Sequence, residues 1–215
     1  MENKEKNLFS WDSISINKYY ELVDIVQDET EDDITKNVKV VSVILDKDEK
    51  EIWDMELSKV GEYINKLKFL TKFDIPKAPG MKIKLPSYNL EVLKDLSKIT
   101  IAQYVDYQNF VRLPLRDGID KILSVFLVPE GCKYNEGYDV LDLQAELRDN
   151  LSFRVAEGLL SFFLMSYLEL MIHSLKRCAR SIRKTKSQEM KKEWKEKEKE
   201  IKKQMESLIC LVGSR

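Results

Sequence analysis

The sequence predicts a mainly α-helical protein. It should contain a duplicated three-helix module, a small β-hairpin between the two halves, and a long C-terminal helix. Three observations carry this. Ile14-Ser15-Ile16-Asn17-Lys18-Tyr19 returns as Ile99-Thr100-Ile101-Ala102-Gln103-Tyr104, a hydroxyl residue before an apolar-periodic run each time. Between the copies lies a stretch, Phe73 to Leu96, that holds three of the five prolines and alternates apolar with polar residues. From Phe153 to Val212 there is no proline, and after Gly158 no glycine, so nothing local stops a helix there.

The first element starts at Ser15. As an N-cap, its side-chain oxygen accepts a hydrogen bond from an orphan N–H of the first turn. Ile14 and Tyr19 then fall at hydrophobic-staple spacing, and so do Ile99 and Tyr104. Thr100-x-x-Gln103 also fits a capping box, whereas Ser15-x-x-Lys18 does not. Residues 1–12 are expected to form a flexible N-terminus, and 13–72 the first helical repeat. Ile16 to Val26 reads as a helix with Tyr19, Leu22, Val23 and Val26 on one face. An acidic loop, Gln27 to Asp33, leads to Lys36–Leu45. This second element is expected to be helical although Val38–Leu45 has strong strand propensity. After a charged turn at Asp46–Glu51, Leu57-Ser58 opens a third helix through Val60, Ile64, Leu67 and Leu70.

Residues 73–97 form the hairpin and linker. Met81–Leu85 and Tyr88–Val92 alternate around Pro86-Ser87, as two short strands would. Residues 98–175 are the second repeat. Lys121-Ile122-Leu123-Ser124-Val125-Phe126-Leu127 matches Lys39–Leu45 position by position in character. Leu151-Ser152 echoes Leu57-Ser58, and Val155-Ala156-Glu157 echoes Val60-Gly61-Glu62. A loop at Pro129–Tyr138 and a helix at Val140–Leu147 are extra to this copy. In the long helix, Leu159–Leu168 is apolar on nearly all sides. A membrane span needs about 20 such residues; Glu157 and Glu169 interrupt the best window, which favours a buried core helix with Phe162, Phe163, Leu164, Leu168 and Met171 inside. Residues 176–215 are a basic C-terminal helical arm, with a break expected near Thr185–Ser187.

Net charge is −1, but it is unevenly spread. Residues 1–175 carry 22 Lys or Arg against 31 Asp or Glu, and residues 176–206 carry 13 against 6. An acidic body of net −9 therefore precedes a segment of net +7. Such a body repels nucleic acid, while the segment can attract it. Cys132, Cys178 and Cys210 form neither a disulfide framework nor a zinc pattern, which suits a reducing compartment. The charged N-terminus, Met1–Asn7, has no apolar core of a secretory signal.

No reaction is indicated. The single histidine, His173, lies on the apolar helix and is expected to be packed there. Phosphate-cradling glycine motifs, metalloprotease motifs and nucleophile elbows are absent from the sequence. The acidic run Asp28–Asp33 lacks the glycine and distal glutamate of a calcium loop. No catalytic residue, cofactor or metal is expected.

Two features of the arm are candidates for binding a partner. Arg177, Arg180, Arg183 and Lys184 recur at helical spacing and would form a cationic face. A solvated helix end, where cations suit the macrodipole, accounts for the same pattern. Trp194, Ile201, Met205 and Leu208 fall on a seam spaced alternately 4 and 3, which suits a short coiled coil or a helix docked on a neighbour; Glu198 interrupts it.

The order of these elements resembles a known class. An S/T-I-x-x-Y helix, a V/L-S-V helix and an L-S-x-V helix precede a proline-rich segment, Lys82-Ile83-Lys84-Leu85 to Tyr88–Val92. That segment leads into Leu96-Ser97-Lys98-Ile99-Thr100-Ile101-Ala102-Gln103-Tyr104-Val105-Asp106. Over residues 13–175 this resembles small helical structural and assembly proteins of tailed bacteriophages, those of crAss-like phages of Bacteroidetes among them. The N-terminal half resembles tail-assembly chaperones in element order. The resemblance implies a non-enzymatic role in virion architecture or tail assembly, with other phage structural or assembly proteins, or further copies of the chain, as partners. It implies residence in the host cytoplasm during assembly, and in the virion if the protein is retained there. The alternative is a nucleic-acid or membrane-surface adaptor using the basic helix; nucleic acid is the less favoured partner and a membrane is not expected.

Overall fold

In the computed structural model, residues 8–71, 80, 82–114, 117–184, 195–196 and 199 are described. Eight α-helices and one three-stranded antiparallel sheet are found among them. The helices are α1 (Ile16–Gln27), α2 (Asp33–Leu45), α3 (Glu49–Trp53), α4 (Leu57–Lys66), α5 (Ile101–Phe110), α6 (Ile119–Phe126), α7 (Val140–Asn150) and α8 (Phe153–Lys184). The strands are β1 (Lys82–Lys84), β2 (Asn89–Val92) and β3 (Leu127–Pro129). The long C-terminal helix is thus present as far as Lys184; the break expected near Thr185–Ser187 lies outside the described residues.

Local chemistry accounts for most helix starts. Ser15 caps α1 through Lys18 N–H. Asp32 caps α2 through the N–H groups of Ile34 and Thr35, and Asp139 caps α7 through those of Leu141 and Asp142. Thr100 caps α5 in a full capping box, its hydroxyl accepting from Gln103 N–H while the Gln103 side chain accepts from Thr100 N–H. Helix α2 ends on Asp46 in the left-handed region (φ 52°), whose N–H donates back to the carbonyls of Ser42 and Val43. The β-branched run Val38–Leu45 is helical because burial overrides propensity: Val38, Val40, Val41 and Ile44 are all in the core.

The sheet goes beyond the expected hairpin. Strand β1 pairs with β2 in the register Ile83↔Leu90, and Leu85 N–H donates to the Tyr88 carbonyl across the turn. A third strand, β3, adds to β2 with Val92 opposite Leu127 and Leu90 opposite Pro129. The sequence places Leu127 at the end of a helix and Pro129 in a loop. Two effects make this piece a strand: Pro129 disfavours helical backbone at Val128, and β2 offers Leu90 and Val92 as a buried face for Leu127. Pro129 lacks an N–H, and it sits on an edge strand, where none is needed.

The chain divides into two units. The larger, residues 1–94 and 99–160, holds the first expected repeat and the second only from Ile99 to Leu160. The second comprises residues 95–98 and 161 onward, so α8 belongs to the larger unit through Leu160. The core of the larger unit is continuous across the two expected repeats: Ile16, Val41, Ile44 and Ile52 from the first, and Ile119, Leu123, Leu143, Leu147 and Leu159 from the second, are fully buried.

The two halves begin alike and then diverge. Helix α1 packs on α2, and α5 on α6. The third matched segment is out of phase. Ser58 lies inside α4, and Leu57 is 88% exposed. Ser152 precedes α8 and Leu151 is buried, held by an antiparallel bridge between Ser15 and Ser152 in which Phe153 N–H donates to the Ile14 carbonyl. Tyr19 stacks on Phe153, ring centroids 3.7 Å apart.

The N-terminal stretch expected to be flexible is packed where it is described. Phe9 stacks on Tyr63, and Trp11 donates its indole N–H to the Phe69 carbonyl at 3.2 Å and meets Phe153. In the second unit, Phe163 and Leu168 are buried, while Phe162 and Leu164 are half-buried. The side chain of Met171 lies outside the described set. The segment Phe153–Ser174 is long and apolar enough to cross a membrane by length and composition.

Candidate functional site

The sequence-predicted cationic positions lie on α8. The helix advances about 100° per residue, so positions 176, 177, 180, 183 and 184 fall within an arc of about 120°. Arg177 is exposed. Arg180, Arg183 and Lys184 have helical backbone, and their side chains lie outside the described set. The apolar seam of Trp194, Ile201, Met205 and Leu208 lies outside the described residues altogether. His173, expected to be packed, is exposed on the same helix.

Among the described residues of the larger unit, two convergences of polar groups stand out. One is an open cavity of about 390 Å³ lined by α1, α2 and α7 residues, with Ser15, Lys18, Glu21, Ser42, Asp46 and Asp149 among them. Lys18 pairs with Asp46 at 2.7 Å across its wall. The lining therefore mixes charges of both signs, and a focused field for one ionic ligand is not built there.

The other convergence is buried. Asp120, in the first turn of α6, is 1% exposed. Its carboxylate accepts from the Tyr20 hydroxyl at 2.9 Å and from Arg148 Nε and Nη2 at 3.2 and 2.8 Å. The Tyr20 oxygen in turn accepts from Ile119 N–H at 3.0 Å. Burial, and then the adjacent Asp120 charge, raise the Tyr20 hydroxyl pKa well above the usual tyrosine range. Arg148 is held more firmly protonated by its hydrogen bonds to Asp120. Through these bonds the trio ties α1, α6 and α7 together. Sequence reasoning missed it; the available signal was a lone acid, Asp120, at the head of the mostly apolar run Ile119–Phe126.

Among the described residues, no group of three or more His, Cys, Asp or Glu side chains is arranged to hold a metal ion. No family model, curated protein or solved structure matches the chain.

Proposed function

We propose that this chain is a non-enzymatic bacteriophage virion structural or assembly protein that works through protein–protein contacts. The observation that carries the reading is the charge division: a body of net −9 over residues 1–175, followed by a segment of net +7 over residues 176–206 whose first cations share one arc of α8. Opposite charges on one chain suit joining chains to one another, the basic segment of one meeting an acidic face of the next. The element order that resembles tailed-phage proteins supports the same reading. So does an ancestral duplication, for which the matched starts of α1 and α5, each capped by a hydroxyl and each packed on the following helix, are the support. The partners are other phage structural or assembly proteins and further copies of the chain. The place of action is the host cytoplasm during assembly, and the virion if the protein is retained.

Mass spectrometry of purified particles and of assembly intermediates from the infected host tests this. Peptides of the chain are expected in one or both; absence from both overturns it. The second reading, a nucleic-acid adaptor, is favoured by Arg177 and its neighbours on the cationic arc. Phosphate binding by this arc would weaken steeply with salt and be lost on Arg177→Glu with Arg180→Glu, whereas contacts along an apolar seam would change little.

A further inference from the structure

Past Ser161, helix α8 carries a second pattern besides its cations. Leu164, Leu168, Met171, Leu175, Cys178 and Ile182 recur alternately 4 and 3 apart, which sets apolar positions on one line of the helix. The cations at 176, 177, 180, 183 and 184 lie about 100° or more around the helix from that line. So do Met165, Glu169 and His173, which are exposed. Where the line itself is described, Leu168 is 6% exposed and Leu164 half-buried. Leu168 is therefore covered within a single chain. Among the other described residues of the second unit, Leu96–Lys98 form one short turn. Three residues span at most about 10 Å, whereas the line from 164 to 182 is about 27 Å long.

We propose that the C-terminal arm folds back on α8 as an antiparallel helical hairpin, its seam from Trp194 to Val212 closing on the Leu164–Ile182 line of the same chain. Positions 194, 198, 201, 205, 208 and 212 are also spaced alternately 4 and 3, and they run for the same length, about 27 Å. Set antiparallel about residue 188, the two lines meet layer by layer. Ile182 falls level with Trp194, Leu175 with Ile201, Met171 with Met205, Leu168 with Leu208, and Leu164 with Val212. Only the layer of Cys178 and Glu198 is polar. The connection starts at Thr185–Ser187, where the sequence predicts a break, and takes about seven residues, within the range usual between antiparallel helices. Lys195, Glu196 and Lys199 are helical and exposed, about 110° or more around the helix from the seam. That is the side a closed hairpin leaves in water. A second copy's α8 on the same line would leave Leu168 open in the single chain. The hairpin goes beyond the charge-division reading and stands without it. With both seams shut, the second unit offers a partner the cations of α8 and no apolar groove.

Crosslinking of the full chain tests it, in a background of Cys132→Ser, Cys178→Ser and Cys210→Ser. Ser174→Cys with Gln204→Cys places thiols beside the closed seam on facing helices. A short bismaleimide should join them within one chain of 25.3 kDa. Ser174→Cys with Gln188→Cys, about 21 Å out of register, should not be joined. Both pairs lie off the apolar line, and circular dichroism confirms that each variant is folded; Ile172→Cys with Lys202→Cys serves if the first pair does not fold. Glu198→Leu, which makes the polar layer apolar, should slow amide exchange across residues 164–182 about 10-fold. Joining of two chains into a species of twice the mass would assign the seam to a second copy and overturn the proposal. So would a folded chain whose facing pair is not joined, or is joined no faster than the out-of-register pair. Amide exchange left unchanged by Glu198→Leu overturns it too.

Discussion

Removing Arg148 should expose how much the buried trio holds the larger unit together. In Arg148→Ala, the Asp120 carboxylate loses two donors and its counter-charge, and keeps only the Tyr20 hydroxyl. Breaking a buried ion pair from one side costs about 3–5 kcal/mol, because the remaining charge is left uncompensated. Here the guanidinium side is 39% exposed, so water can enter where it stood and solvate part of the carboxylate. The expected loss is therefore discounted to the lower limit of that range or below, about 2–3 kcal/mol. At about 2–4 °C per kcal/mol for a chain of this length, Tm should fall by about 4–12 °C. Replacing both charges with apolar residues of similar size, Asp120→Leu with Arg148→Met, should recover most of that loss, since a buried pair and a well-packed apolar pair are often close in energy. Thermal melts by circular dichroism at pH 7, run as a double-mutant cycle, measure both. An Arg148→Ala variant that loses less than about 1 kcal/mol would refute the reasoning, because that is the scale of an exposed pair. A double variant as unstable as the sum of its parts would refute it as well.

Other outcomes follow from the same contacts. Leu143→Ala, at a fully buried α7 position, should cost about 2–5 kcal/mol in urea unfolding at unchanged m-value. Gln103→Leu should speed amide exchange in the first turn of α5, because it removes the capping box and leaves the buried Val125 carbonyl without its side-chain donor. The hydroxyls of Tyr20 and Tyr134 are both raised in the folded state, Tyr20 by burial and then Asp120, Tyr134 by burial and then its hydrogen bond to Asp106. Their contribution is fully present below the unfolded tyrosine pKa, about 10, and is lost as pH rises beyond it. Stability measured across pH 9–12 should therefore fall, and fall less steeply in Tyr20→Phe. Phe163→Ala should cost about 3–5 kcal/mol if its burial is core burial, read as a lower Tm, whereas Met165→Ser, at an exposed position of the same helix, should change little.

How far the sequence reached depended on the range of the interaction. Helix starts were legible because a cap is a contact across three residues: Ser15 and Thr100 occupy the positions that their side-chain chemistry dictates, and the capping box at Thr100 and Gln103 forms as the spacing implies. The β1–β2 turn was legible for the same reason, with alternation on each side of Pro86-Ser87. Pairings between distant segments were not. Pro129 locally disfavours helix at Val128, but nothing local in Leu127–Pro129 announces a paired strand until β2 is beside it. Nothing in Leu57-Ser58 and Leu151-Ser152 shows that one leucine is open to solvent and the other shut beneath the Ser15–Ser152 bridge.

The functional surfaces divide in the same way. By itself, the sequence determined the helical class, the acidic body and basic segment, and the helical spacing of the cations from Arg177 to Lys184, because charge and period are properties of the chain. Only the tertiary structure decided which face each helix buries. Periodicity shows that α5 has two faces, but it would assign the apolar one to the core. The core instead took Gln103, because the Val125 carbonyl at the end of α6 offered it a partner, and Ile101, Tyr104 and Val105 were left outside. Asp120 went inward for the matching reason. Its charge is tolerable at 1% exposure only because folding brings Tyr20 and Arg148, 100 residues before it and 28 after, to the same carboxylate. Burial of a polar group depends on whether a partner arrives, and that is fixed by the meeting of distant segments.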